Sequence, residues 1–190
     1  MKELKRALII FGMLVIITGV IYPLTVTGIA QLTMSHRANG SLVTVNGHVV
    51  GSELIGQQWT SPKYFHGRPS AVEYDASKSG GSNLGPSNPN LEKRVAERIT
   101  KVRVENGLAA NAAVPADLVT ESASGLDPDI SPESALLQVQ RIATARGLVP
   151  SVVEHLVEVH TKKPFLGIWG QSRVNVLELN IALDKLSATP

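Results

Sequence analysis

The chain is 190 residues long, with a formal net charge of +2 and no cysteine. Disulfides and thiolate chemistry are therefore excluded. The excess charge sits in the first six residues, which hold Lys2, Lys5, Arg6 and Glu3, and the rest carries equal numbers of cations and anions. Nucleic-acid binding needs a basic footprint, and this balance argues against it.

Residues 7–36 contain no charged side chain. The apolar region of a signal peptide is about 7–15 residues long, whereas a membrane-spanning helix needs about 20. Residues 7–34 are therefore read as one uncleaved transmembrane helix. Cations crowd its N-terminal end, and only His36 and Arg37 follow it closely. The positive-inside rule then makes residues 1–6 a cytoplasmic tail and residues 35–190 an exported domain. Gly12 and Gly19 are seven residues apart and share one helix face. That face either admits a partner helix or reflects the ordinary frequency of glycine in membrane helices. Pro23 lacks an amide and crowds the carbonyl of Gly19, so the helix is expected to bend or loosen near Tyr22-Pro23.

The exported part, about 150 residues, suits one domain. Aromatic residues are scarce, so its core must come from Val, Leu, Ile and Ala. Asn46-Gly47 between two β-branched runs predicts a hairpin near residues 42–55. Residues 57–70 concentrate aromatics, His66 and Arg68 without a period, which predicts an ordered irregular segment. Asn88 is placed to cap a helix that Pro89 opens and Gly107 closes, with Leu91, Val95, Ile99 and Val102 as its stripe. Leu118-Val119-Thr120 is predicted as a short strand. Ser131 and Pro132 open a further helix with Leu136, Val139 and Ala143 on one face and Gly147 after it. A third helix follows Pro150, with Val152, Val153, Leu156, Val157 and His160 as its stripe. The last begins near Asn175, with Val176, Leu179, Leu183 and Leu186 aligned. Short strands plus several helices make this an α+β domain.

The segment Ser79 to Pro89, S-G-G-S-N-L-G-P-S-N-P, is the candidate site. Its bare backbone has the composition of a phosphate cradle. A P-loop, however, requires G-x-x-x-x-G-K-S/T, and Gly80 to Gly85 is followed by Pro86, which has neither amide nor charge. The nucleophile elbow G-x-S-x-G fails because Leu84 stands at its last glycine. The alternative reading is a turn-forming loop in which Gly80, Gly81 and Gly85 allow close backbone approach. No metal constellation emerges: His155 and His160 are five apart, off the i, i+4 spacing of helical zinc ligands. No catalytic residue is assigned, although an exported hydrolase using Ser82 or Asp75 remains an alternative.

Four blocks in order carry a resemblance. They are the apolar span ending at Tyr22-Pro23, the segment Trp59 to Ala71, the segment Ser79 to Pro89, and Ser124-Gly125-Leu126-Asp127-Pro128-Asp129-Ile130-Ser131-Pro132. With Arg173 to Asn180 at the end, the chain resembles the C subunit of the bacterial Kdp potassium-transporting ATPase along nearly its whole length. The stretch Lys162 to Ser172 departs from the family pattern at Trp169, Gln171 and Ser172.

The resemblance implies a non-catalytic accessory subunit of an ATP-driven potassium uptake complex in the bacterial inner membrane. Its implied partners are a channel-like A subunit, a P-type ATPase B subunit, a small F peptide and the lipid bilayer. It implies an assembling and stabilising role, with the exported domain over the potassium entrance of the A subunit. It also implies a chaperone-like role in ATP binding by the B subunit, with nucleotide contact proposed at Ser79, Gly80, Gly81 and Ser82. Asn83, Leu84, Gly85, Pro86, Asn88 and Pro89 are then the structural or interface part of that loop. The chain has no cofactor of its own in this reading, and ATP enters through the complex.

Overall fold

A computed structural model describes residues 1–187. It divides into two compact units, one of Met1–Val50 and one beginning at Gly51.

The first unit is one long helix followed by a hairpin. The helix spans Lys2–Ala38 and is long and apolar enough to cross a membrane. At 1.5 Å per residue it extends about 55 Å, against about 30 Å of hydrocarbon. It consists of α1 (Lys2–Ile16), one π turn (Ile17–Ile21) and α2 (Tyr22–Ala38). The loosening expected near Tyr22-Pro23 is found in the turn just before it. Pro23 offers no amide to the Gly19 carbonyl and its ring pushes that carbonyl away, so the widening falls N-terminal to the proline. A second irregularity lies at Met34, whose backbone leaves the helical region. The hairpin pairs β1 (Leu42–Val45) with β2 (His48–Ser52). Asn46 and Gly47 have φ of 51° and 80°, the two positive values that a type I′ turn requires.

The second unit is α+β. Its helices are α3 (Pro89–Glu105), α4 (Pro132–Arg146), α5 (Pro150–His160) and α6 (Val176–Ser187). Its antiparallel sheet is built from β3 (Asp129–Ile130), β4 (Thr161–Lys162) and β5 (Arg173–Asn175), in the order β3-β5-β4. Val174 on the central strand pairs with Ile130 on one side and Thr161 on the other. The caps follow the sequence. Asn88 accepts from the Asn90 amide, Ser131 from the Ser134 amide, and Gly147 closes α4 in the left-handed region. Asn175 accepts from the Glu178 amide and opens α6.

The core gathers Phe65, Ile142, Val153, Val174, Leu179 and Leu183 between α4, α5, α6 and the sheet. Val139, Ala143, Val153, Val157, Leu179 and Leu183 are buried as their stripes predict, but Leu136, Val152 and Leu186 are exposed. On α4 the interior positions belong to Ala135, Gln138 and Ile142, so the buried face is turned away from Leu136. The strand expected at Leu118-Val119-Thr120 is instead a 3₁₀ turn, Ala116–Leu118. Its backbone is satisfied locally, because both the Thr120 amide and its hydroxyl donate to the Ala116 carbonyl. Leu118 and Val119 still contribute buried surface.

The irregular segment around Phe65 enters this core without belonging to a sheet. Its backbone groups must nevertheless be paired. Asn180 on α6 does this for Phe65, accepting from its amide at 2.8 Å and donating to its carbonyl at 3.0 Å. Gln138 on α4 does the same for His66, at 2.8 and 3.1 Å. Arg141 donates to the carbonyls of Pro62 and Tyr64 and to the Gln138 side chain. Arg146 donates to the Lys63 carbonyl and stacks over the Tyr64 ring at 4.7 Å.

Replacing Asn180 with Ala leaves a buried amide and a buried carbonyl of Phe65 without partners. Each costs about 1–3 kcal/mol, so Asn180→Ala should lower the unfolding free energy of the full chain in detergent by about 3 kcal/mol. Urea titration of the variant against the parent checks this.

His66 supplies a pH signature. Its Nε2 donates to the Ser61 carbonyl at 3.0 Å, and Nδ1 lies 3.8 Å from Glu105. Burial, then the charge of Arg141, holds its pKa below the ordinary 6.5. The unfolded chain therefore takes up the proton first. Stability is full above pH 6.5 and declines as pH falls from there toward the lowered folded value. Unfolding midpoints measured in steps from about pH 7.5 to 5.5 should show this decline, and His66→Gln should make it shallower.

Candidate functional site

Three of the blocks singled out in the sequence meet in one place. The hub is the loop between the 3₁₀ turn and β3, residues 121–128. On one side it receives the segment that follows Phe65. Arg68 donates to the Asp127 carboxylate at 2.9 Å and to the Glu121 carbonyl at 3.4 Å. The Ser70 hydroxyl donates to the Gly125 carbonyl at 2.7 Å and accepts from the amides of Val72 and Tyr74. The Tyr74 hydroxyl donates to the Arg68 carbonyl. Burial, reinforced by the neighbouring Asp127 charge, pushes the Tyr74 phenol up to about 12, so it stays a donor.

On the other side the hub receives the glycine loop. The Gly80 amide donates to the Ser124 carbonyl at 2.9 Å, and the Ser79 hydroxyl reaches the same oxygen at 3.3 Å. A Cβ on Gly81 would stand 3.3 Å from the Ser122 carbonyl oxygen, so this backbone approach favours glycine. Gly125 completes the fit. It has φ of +70°, and a Cβ there would fall 2.6 Å from Val72 and 2.8 Å from the Gly80 carbonyl oxygen. Asn83 turns the chain, donating to the Gly81 carbonyl at 3.1 Å with φ of 53°. Leu84 is half-buried, and Gly85 and Pro86 are exposed. The Asn88 amide donates to the Gly85 carbonyl at 3.0 Å, which hands the loop to the Asn88 cap and Pro89.

A carboxylate closes the assembly. The Glu121 side chain is 7% exposed and pairs with Arg98 of α3, with Arg94 at 3.5 Å. Arg98 also donates to the Val119 carbonyl at 3.2 Å. Burial pushes the Glu121 carboxyl up, but the hydrogen bonds from Arg98 and Ser82 and the charges of Arg98 and Arg94 outweigh it. Glu121 is therefore ionised, and Ser82 stands beside a fixed negative charge. This pairing ties α3 to the hub.

The remaining sequence candidates are dispersed. Asp75 is half-buried, accepts from the Ser77 amide and hydroxyl and pairs with Lys78 at 3.0 Å. The His155 ring lies 3.6 Å from Glu158, while His160 bonds the Leu156 carbonyl. No cluster of three His, Cys, Asp or Glu side chains with metal-ligating geometry occurs among the described residues. Gly12 and Gly19 each face open space within their own unit.

Two cavities flank the hub. One, of about 240 Å³, is lined by Trp59, His66, Arg68, Tyr74, Arg98 and Glu105 among others. The other, of about 790 Å³, is lined by Asp117, Asp127, Asp129, Glu133, Arg68 and Arg173 among others. Most of the acids in the second already have partners. Asp117 accepts from the Ser131 amide and the Ser134 hydroxyl, Asp127 from Arg68, and Asp129 from Arg173 at 3.0 Å.

Glu121 and Arg98 carry no sequence signal. Each is an ordinary charged residue in its local stretch, and their pairing spans 23 residues of chain; Arg68 stands out in its segment, but its partner Asp127 lies 59 positions away.

Residues 4–185 match the family model described as K+-transporting ATPase, c chain. The chain is 55% identical to the potassium-transporting ATPase KdpC subunit of Gemmatimonas aurantiaca, covering all of this chain and 96% of that one. It is 49% identical to the KdpC subunit of Rhodopseudomonas palustris strain BisB5, covering 97% of each. It is 51% identical to that of Mycobacterium tuberculosis strain CDC 1551, covering 97% of this chain and 99% of that one. The chain belongs to the KdpC family, the c chains of the K+-transporting ATPase.

The Arg98–Glu121 pair orders the expected effects of substitution. Arg98→Met leaves the buried Glu121 carboxylate with only Ser82 and the more distant Arg94 and should cost about 2 kcal/mol of stability, whereas Glu121→Gln, which removes the charge itself, should cost less. The double variant should recover part of the Arg98→Met loss. Denaturant midpoints of the three variants check the order.

Proposed function

We propose that the chain is a non-catalytic accessory subunit that stabilises and assembles a potassium-uptake pump. Membership of a family of potassium-transporting ATPase subunits supports this reading. In it, the apolar helix anchors the chain in the bacterial inner membrane with residues 1–6 in the cytoplasm, as the flanking cations favour. The domain lies outside, over the potassium entrance of a channel-like A subunit. A P-type ATPase B subunit and a small F peptide complete the complex.

The observation that carries the reading is the convergence of the segments 59–71, 79–89 and 124–132 on one hub, where their polar groups bond to one another. That is the organisation of a scaffold. Ser79, Gly80, Gly81 and Ser82 serve in it as packing elements, and Gly85 and Pro86 offer the exposed outer edge. An exported loop meets no cytoplasmic ATP. The effect on nucleotide binding by the catalytic subunit is therefore indirect: a subunit that prefers one state of the pump shifts the population toward it.

Gly80 makes the test clean, because a Cβ there meets nothing within 4 Å. Gly80→Val should leave the unfolding midpoint of the chain unchanged and should weaken its co-purification with two large membrane proteins from the native membrane. Undiminished co-purification would remove the loop from the interface. Labelling of residues 79–82 by ATP applied to the cytoplasmic face of intact membranes would overturn the indirect route.

A further inference from the structure

The connection between β4 and β5 projects an apolar tip. Phe165, Leu166, Ile168 and Trp169 are 70%, 71%, 76% and 61% exposed. These four large side chains fall within five consecutive positions, whereas exposed apolar residues on a soluble surface are normally scattered. The tip is ordered by its own backbone. The Phe165 amide donates to the Trp169 carbonyl at 2.8 Å, and the Trp169 amide returns a bond of 3.0 Å. The Gly167 amide donates to the Pro164 carbonyl and the Ile168 amide to the Phe165 carbonyl. Leu166, Gly167 and Gly170 all take positive φ to close it. The base is held firmly: Val174 is in the core, Lys162 pairs with Glu178 at 2.8 Å, and Arg173 pairs with Asp129 at 3.0 Å.

We infer that this tip inserts into the interfacial layer of a bilayer carrying anionic headgroups. Three observations select lipid. The turn satisfies much of its own backbone hydrogen bonding, which is the condition for entering an apolar phase. Its side chains are the aromatic and aliphatic types that partition to the boundary between headgroups and acyl chains. Charge is complementary as well: residues 163–172 contain no acid, and Lys163 has no ion-pair partner among the described residues. The chain also carries a helix able to cross a membrane. Tethering raises the effective concentration of lipid, so a tip of modest intrinsic affinity suffices. The tip then acts as a second contact that restrains the domain after the helix has anchored the chain.

The test uses Trp169 as its own probe. Trp59→Phe leaves it the only tryptophan in the full chain. The variant is reconstituted into vesicles of phosphatidylcholine and phosphatidylglycerol, with and without brominated acyl chains. A ring about 5–10 Å into the boundary should be quenched about twofold by the brominated lipid. Leu166→Asp together with Ile168→Asp should abolish that quenching. Trp169 emission unaffected by bromine and freely quenched by aqueous acrylamide would overturn the proposal. So would acrylamide protection that arises only when the other pump subunits are present, since a protein then covers the tip. If Trp59→Phe does not fold, the difference between the native chain and Trp169→Phe gives the same reading. The proposal rests on membrane anchoring, which flotation of the chain with the vesicles checks separately from the fluorescence.

Discussion

Two amide side chains hold the second unit together. Asn180 and Gln138 each grip one residue of an irregular segment by both its amide and its carbonyl, as a neighbouring strand would. Without them Phe65 could not lie fully buried among Ile142, Leu179 and Leu183, because its backbone would enter the core unpaired. A buried donor or acceptor left unpaired costs about 1–3 kcal/mol, a substantial fraction of the stability of any domain of this size. The amides also fix the direction of the chain on leaving the core. Arg68 and Ser70 follow Phe65 closely and reach the hub only because Phe65 and His66 are held in place.

The hub inherits its order from that clamp. Arg68 bridges to Asp127 and the Glu121 carbonyl, Ser70 holds Gly125, and Gly125 leaves room for the glycine loop. Glu121 then draws in α3 through Arg98. The order runs from core amides to irregular segment, from there to hub, and from hub to loop and helix. A chain without disulfides thereby keeps long loops in one conformation through side-chain to backbone bonds, most of them made by Asn, Gln, Ser and Arg.

Local signals in the sequence were sufficient for the helices. Asn88, Ser131, Gly107, Gly147 and Asn46-Gly47 act through neighbours within a few residues, so their caps and turns could be read directly. The irregular character of residues 57–70 and the turn-forming character of residues 79–89 were legible for the same reason. What could not be read is what those segments pair with. Gln138 and Asn180 are polar residues inside apolar stripes, and that mismatch was the available signal. Their partners lie 72 and 115 positions away, beyond any periodicity argument. Leu136 was misplaced because Gln138 took the interior position that hydrophobicity alone would give to leucine. The 118–120 segment was misread because Leu-Val-Thr has strand propensity but no strand beside it, and propensity yields to context.

The first helix is long and apolar enough to cross a membrane, and in hydrocarbon the same accounting holds with no water to help. Pro23 disturbs the turn before it, and a carbonyl that loses its amide in hydrocarbon has no solvent to turn to. Thr18 within the π turn Ile17–Ile21 and Thr25 after it donate their hydroxyls to carbonyls four residues back, Thr18 to Leu14 and Thr25 to Ile21, both at 2.7 Å. Such back-bonding accompanies bent or loosened helices. Gly19 sits inside this turn without a Cβ, where another helix could approach the altered backbone most closely. A proline, a π turn and a bare glycine thus fall within one stretch of seven residues, and each of them weakens a helix on its own. The threonine back-bonds are the local compensation that the sequence supplies for the carbonyls this stretch disturbs.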